Sequence, residues 1–162
     1  MCLICQRIDL IKRDENPYFV KELETGYVVI GDHQHFKGYT LFLCKQHVSE
    51  LHDLPEEFRN QHLSEMADVS KAVSLAFSAE KMNIESLGNG DSHLHWHLFP
   101  RQSGDLGEYG HNGRGPVWWL PFEEMYSDEH LVSSEELEDL KATLLKFLNH
   151  DHPSNGWFEQ GL

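Results

Sequence analysis

The strongest chemical pattern in the chain is three histidines at alternating positions, in Ser92-His93-Leu94-His95-Trp96-His97-Leu98-Phe99-Pro100-Arg101. Successive side chains of a β-strand point to opposite faces. His93, His95 and His97 therefore line one face, and Leu94, Trp96 and Leu98 the other. A helix would scatter the three over about 200° of arc and waste the alternation. The apolar face asks for a core. The other face asks for chemistry, because packing has no use for three imidazoles in a row. Neutral imidazole is a nucleophile, proton carrier or metal ligand near neutral pH. Pro100 is expected to end the strand, since it brings no N–H to a ladder.

A second group is Cys2 and Cys5, a Cys-x-x-Cys at the start of the chain. With Cys44 the cysteines number three, too few and too oddly placed for a disulfide framework. A thioredoxin-like redox pair follows a strand, and no strand fits before Cys2. Metal ligation suits the pair better. A structural zinc needs four ligands, so two more must come from elsewhere. Gly88-Asn89-Gly90 reads on its own as a hairpin turn.

The histidine run resembles the signature of the histidine-triad family of nucleotide hydrolases and transferases, His-φ-His-φ-His-φ-φ. Leu87-Gly88-Asn89 before it and Pro100-Arg101 after it resemble that family as well. The resemblance implies a purine nucleotide substrate, such as a diadenosine polyphosphate or an adenosine phosphoramidate, cleaved at the α-phosphorus. It gives His95 the part of nucleophile, through a nucleotidyl-histidine that water then hydrolyses. It puts His97 at the phosphate or leaving group. Asn83, Gly88 and Asn89 are the implied phosphate donors, and Asp32 the implied partner of the ribose hydroxyls. Some members pair such cysteines with two histidines, as do the related galactose-1-phosphate uridylyltransferases. That implies a zinc on Cys2, Cys5, His47 and His93.

There is one departure. Where the family usually has Gly-His, this chain has Gly38-Tyr39, and Cys44 stands where a proline is usual. The fourth active-site histidine is missing unless His33 or His35 supplies it. Two other readings stay open: a nucleotide-sensing module with little turnover, which Tyr39 favours, and a metal-dependent hydrolase using the histidines themselves as ligands. A nucleotidyltransferase is the variant closest to the first reading.

The elements that must position these residues follow from pattern. Strands are expected over 18–23, 27–30, 38–44, 82–87 and 93–99. A short helical turn is expected over 48–54. A long amphipathic helix runs from Pro55 to about Ala79, capped by Asp53, with Phe58, Leu63, Met66, Val69, Val73 and Phe77 facing the core. Residues 2–16 show the cysteine pair followed by polar residues. Residues 102–116 form a glycine-rich loop, and Val117-Trp118-Trp119-Leu120-Pro121-Phe122 must pack somewhere. Ser133-Ser134-Glu135-Glu136 resembles a capping box that opens a helix on Leu137, Leu140, Leu144 and Leu148. The last dozen residues read as a tail. The fold class is α+β: a five-stranded antiparallel sheet with one long helix and a C-terminal helix, as in the histidine-triad fold. Residues 1–101 are the nucleotide-binding core, and residues 102–162 an extension packing on the same domain. His52, His62, His111, His130, His150 and His152 read as surface residues.

At 162 residues the chain fits one domain with a real core. A net charge of −14 argues against a general nucleic-acid binder, which needs a basic surface, but not against a mononucleotide site. No apolar run approaches the ~20 residues of a membrane span, and Met1-Cys2-Leu3-Ile4 lacks the pattern of a signal peptide. The expected location is the cytoplasm. Trp118 and Trp119 supply apolar surface in excess of what a small domain buries alone, and a homodimer is expected.

Overall fold

The computed structural model describes residues 1–112 and 114–150. The tail expected over 151–162, with His152, lies outside the described residues. The elements run α1 (Leu3–Lys12), β1 (Phe19–Glu22), β2 (Gly26–Ile30), β3 (Thr40–Cys44), α2 (Glu56–Ala76), β4 (Lys81–Glu85), β5 (His95–Arg101), α3 (Phe122–Met125) and α4 (Ser134–His150), with short 3-10 turns between. The five strands form one antiparallel sheet in the order β1-β2-β3-β5-β4. This is the α+β architecture that the patterning predicts. No helix among the described residues is long and apolar enough to cross a membrane.

The two-residue period of the strands divides the domain into two layers. Val28, Phe42 and Trp96 stand side by side in register on one face. There Val69, Ala72 and Val73 of α2 and Leu137, Leu140 and Leu144 of α4 close over them. Each valine, leucine or phenylalanine among them is worth roughly 1.5–3 kcal/mol when fully buried. Tyr27, Leu43 and His95 form the matching row on the opposite face.

That opposite face is covered from two sides. At one side lies α1, which the polar reading of residues 2–16 missed. Its Ile4, Ile8 and Ile11 recur at helical spacing and bury against Tyr27, Val29 and Leu43. Cys2 caps the helix, its Sγ accepting the Cys5 N–H at 3.3 Å. At the other side the chain after β5 folds back. Leu106, Val117, Leu120 and Met125 form a second core with Phe36, Tyr39 and Phe99. Arg101 anchors this segment. It makes two hydrogen bonds to Asp105, at 2.7 and 2.8 Å, and others to the Gly115 carbonyl and Asn83 Oδ1. Between α1 and the folded-back segment the sheet stays open as a cleft.

Four details differ from expectation. β5 begins at His95 and passes through Pro100 to Arg101. Pro100 is tolerated because pairing with β3 ends at Leu98. The Arg101 carbonyl accepts from Glu80 N, so its neighbour Pro100 turns its main chain toward the side that β3 has already left. His93 precedes the strand rather than lying in it. Asp53 does not cap α2; Pro55 stands at the N-cap with no side-chain bond, and Asp53 ends a 3-10 turn. His62 is not at the surface. It is fully buried on α2, accepts the Trp96 indole N–H at 3.0 Å and donates to Thr25 Oγ1 at 2.9 Å. Thr25 in turn donates to Glu65, whose carboxylate also takes the Glu24 and Thr25 N–H groups. Every polar atom of this buried chain has a partner, and it ties α2 to the β1–β2 turn and to β5. At α4, Ser133 Oγ does accept the Glu136 N–H, at 3.2 Å, as the capping pattern predicts.

Candidate active site and metal-binding cluster

The cleft encloses about 500 Å³. Its floor is β2, β3 and β5, with His95 and His97 side by side, ring centroids 4.8 Å apart. Leu3, Ile4 and Arg7 of α1 form one wall. Phe122 and Tyr126, from the extension, form another. The strand register decides which histidines look into it, because His95 and His97 share the face opposite Trp96.

Hydrogen bonds assign the proton on each ring. The His93 carbonyl lies 2.6 Å from His95 Nδ1. A carbonyl only accepts, so Nδ1 carries the hydrogen and Nε2 keeps its lone pair. His97 Nδ1 lies 2.6 Å from the Tyr39 hydroxyl. Burial, with the neighbouring His95, lowers the His97 pKa to about 4, so the ring is neutral at neutral pH. Burial pushes the Tyr39 phenol well up, so it keeps its proton. Tyr39 is held by its surroundings. Gln34 bonds the Gly31 and Tyr39 carbonyls and the Gly38 N–H, all within 2.9 Å. A Cβ on Gly31 would come within 2.3 Å of the Tyr39 ring, so glycine there lets the ring lie flat across the strand.

Asp32 also lines the cleft. Both its oxygens accept from the Arg7 guanidinium, at 3.0 and 3.2 Å. Asn83 lies on the sheet's other flank, opposite Phe99, with its Oδ1 taken by Arg101. Gly88 and Asn89 stand outside the cleft lining, but Asp91 of the same turn is part of it. Gly88 has φ +92°, a conformation that glycine adopts without strain. His33 lines the cleft, whereas His35 turns away and donates from Nε2 to the Asp105 carbonyl at 2.7 Å. Neither reaches the His97 Nδ1 position, which Tyr39 holds. Arg7, Phe122 and Tyr126 gave no sign in the sequence; the helical spacing of Ile4, Ile8 and Ile11 could have placed Arg7 on α1.

Behind His95 the cysteine pair meets two histidines. The ligand atoms of Cys2, Cys5, His47 and His93 all lie within 4.8 Å of one another, a group able to hold a metal ion. Cys5 Sγ is 3.1 Å from His47 Nδ1 and 3.4 Å from His93 Nδ1, and Cys2 Sγ is 3.6 Å from His93 Nδ1. A tetrahedral site with bonds of ~2.3 Å to sulfur and ~2.0 Å to nitrogen has edges of about 3.3–3.8 Å, close to these separations. The His93 ring gives its Nε2–H to the Cys44 carbonyl at 2.8 Å. That leaves the Nδ1 lone pair facing the sulfurs. Burial lowers the His93 pKa, which keeps that lone pair free of a proton.

The chain is 24% identical to Protein hit of Bacillus subtilis over 153 residues, 91% of this chain and 94% of that one. It is 25% identical to the adenosine 5'-monophosphoramidase of Saccharomyces cerevisiae over 107 residues, 62% of this chain and 63% of the relative. Its fold is similar to that of a zinc-bound histidine triad family protein from Mycobacterium smegmatis, with a TM-score of 0.62 at 20% identity, covering 91% and 93% of the two chains. The family model of the HIT domain matches residues 15–104. On that match, which takes in the sheet, the long helix and all three alternating histidines, the chain belongs to the HIT domain family.

Proposed function

We propose that the protein is a hydrolase that cleaves purine nucleotides at the α-phosphorus, through a covalent bond to His95. One observation carries the reading: His95 donates from Nδ1 to the His93 carbonyl, which leaves the Nε2 lone pair as the attacking atom in the cleft. Attack forms the Nε2–phosphorus bond and expels the leaving group; water then cleaves the nucleotidyl-histidine. The yeast relative's name, adenosine 5'-monophosphoramidase, supports chemistry at a nucleoside 5'-phosphate. His97, next along the same face, is the proposed partner of the phosphate oxygens or the leaving group.

Asp32 is the proposed partner of the ribose hydroxyls, held in orientation by Arg7. Gly88 and Asn89 are proposed phosphate donors, because their turn reaches the cleft through Asp91. Asn83 is proposed for the same part, since the bond that Arg101 makes to its oxygen leaves the amide hydrogens to donate.

Cys2, Cys5, His47 and His93 are the residues that would hold a zinc ion. When bound, such an ion supplies a structural cross-link rather than reaction chemistry, all four ligands being protein. What the chain itself does there is orient the main chain of His93, whose carbonyl fixes the His95 tautomer.

The test is direct. Incubation with an adenosine phosphoramidate or diadenosine tetraphosphate, acid-free quenching and peptide mass spectrometry should find an adenylate adduct on the peptide carrying His95. Turnover with no adduct on any histidine would remove this mechanism.

A further inference from the structure

We infer that Tyr39 fixes His97 as a neutral hydrogen-bond donor, so that the cleft suits leaving groups that depart as phosphate anions: nucleoside phosphoanhydrides rather than phosphoramidates of alkyl amines. This rests on the reading of His95 as nucleophile and decides between the two substrate classes that reading leaves open.

Tyr39 is 8% exposed, and its ring is stacked on Phe99, centroids 4.3 Å apart and 5° from parallel. Its O–H must donate to something. Among the described residues the hydroxyl's partner is His97 Nδ1, at 2.6 Å. Accepting that hydrogen requires a lone pair on Nδ1, so the ring's own proton sits on Nε2. His95 shows the reverse arrangement, with its proton on Nδ1. Two adjacent imidazoles thus present opposite groups: a lone pair from His95 and an N–H from His97.

The same bond opposes charging of His97. An imidazolium carries hydrogens on both nitrogens. The phenol oxygen could then accept from Nδ1–H, but the phenol hydrogen would lose the one acceptor it has among the described residues. Leaving a donor without an acceptor away from bulk water is unfavourable. Burial acts in the same direction on the ring. His97 therefore offers a hydrogen bond and keeps its proton.

This limits the bond that can break. His95 Nε2 gives its electron pair to the α-phosphorus, and the pair of the breaking bond goes to the leaving group. In an anhydride that pair stays on a phosphate oxygen, stable as an anion at neutral pH, and an N–H hydrogen bond from His97 suffices. In an alkyl phosphoramidate the pair goes to a nitrogen that must take up a proton to leave. A neutral His97 whose Nδ1 is tied to a phenol does not supply one. General acid catalysis is worth about 10²–10⁴-fold where it operates.

The experiment has two readouts on the full-length chain. Nitrogen-15 NMR of labelled histidine near neutral pH should show His97 as the Nε2–H tautomer, and Tyr39→Phe should abolish that preference. Kinetics should show wild type turning over diadenosine tetraphosphate about 10²-fold faster in kcat than a primary-amine adenosine phosphoramidate. Tyr39→His, which returns a titratable partner, should narrow that ratio about tenfold or more through kcat, with KM little changed. A purely structural Tyr39 would move neither the tautomer nor the ratio. Equal turnover of both substrates with an adduct on His95, or a proton on His97 Nδ1, overturns the inference alone. Failure to turn over either substrate, with the His97 tautomer intact, overturns the hydrolase reading and the substrate assignment with it.

Discussion

The carbonyl of His93 accepts the Nδ1–H of His95 at 2.6 Å, while the His93 ring hands its own Nε2–H to the Cys44 carbonyl at 2.8 Å. One residue thus faces the cysteines with its side chain and holds the cleft histidine with its main chain. The Cys2–Cys5–His47–His93 cluster and the reacting end of His95 are separated by a single peptide unit, so order in one is order in the other.

His95→Asn keeps a polar side chain but no nucleophile. Steady-state turnover of the preferred nucleotide should fall by at least about 10³-fold. The circular dichroism spectrum should be unchanged and stability lower by only about 1 kcal/mol, the worth of one hydrogen bond. Near-full turnover would take His95 out of the nucleophile role.

Cys2→Ser/Cys5→Ser should remove a bound metal. Elemental analysis of the wild-type chain should give about one zinc per chain, and of the double variant close to none. The variant's Tm should drop by about 5 °C or more, because binding energy of a structural metal is folding energy. His95→Ala should retain the zinc. Metal-free wild-type protein of unchanged Tm would sink the zinc proposal.

His62 makes stability depend on pH. Its ordinary pKa of 6.5 is lowered by burial to about 4 in the fold. Below about pH 6.5 the unfolded chain takes up a proton that the folded chain refuses until about pH 4. The contribution is therefore whole above 6.5 and is lost as pH falls through this window, to a total of about 3 kcal/mol. His62→Gln can still accept from Trp96 and donate to Thr25, but does not titrate. Denaturant midpoints should fall less between about pH 7 and about pH 4.5 in the variant than in wild type. Parallel falls would show that other groups set the pH dependence.

Arg101 joins the folded-back segment to the sheet. Its pair with Asp105 is about nine-tenths buried on both sides. Arg101→Gln leaves the Asp105 carboxylate with no cation in a buried place, and breaking such a pair costs about 3–5 kcal/mol. Limited proteolysis should then cut within residues 102–116, where the wild-type chain resists. Identical cleavage patterns would show that the apolar packing of Leu106 and Val117 holds the segment unaided.

We propose that the protein is a homodimer. Trp118, Trp119 and Phe122 are 41%, 44% and 68% exposed in one chain, an apolar group of the kind that marks association surfaces. Trp118 does pack edge-on against Phe99 and donates to Glu85 at 2.7 Å, so its exposed edge is what remains for a partner. Light scattering at micromolar concentration should give twice the 18.8 kDa chain mass. A monomer mass would end the proposal.

Much of this protein is written in local pattern. The alternation from His95 to Leu98 sets His95 and His97 on one face and Trp96 and Leu98 on the other because the strand's period is a property of the backbone alone. Phe58 to Phe77 announce α2, and Ser133 with Glu136 the start of α4, for the same reason at the helical period. The Cys-x-x-Cys spacing likewise belongs to one short stretch. What the sequence did not determine is who meets whom. Tyr39 and His97 are 58 positions apart, and their bond exists because β3 lies beside β5 in the sheet order. Arg7 reaches Asp32 only because α1 packs its isoleucines on β2 and β3. Phe122 and Tyr126 wall the cleft because Phe99, on the histidine face, needed an apolar cover and the chain after Arg101 supplied it. Periodicity fixes the direction of a side chain relative to its own element. Its partner depends on strand order and on which apolar faces must be closed, and those are decided by the folded chain as a whole.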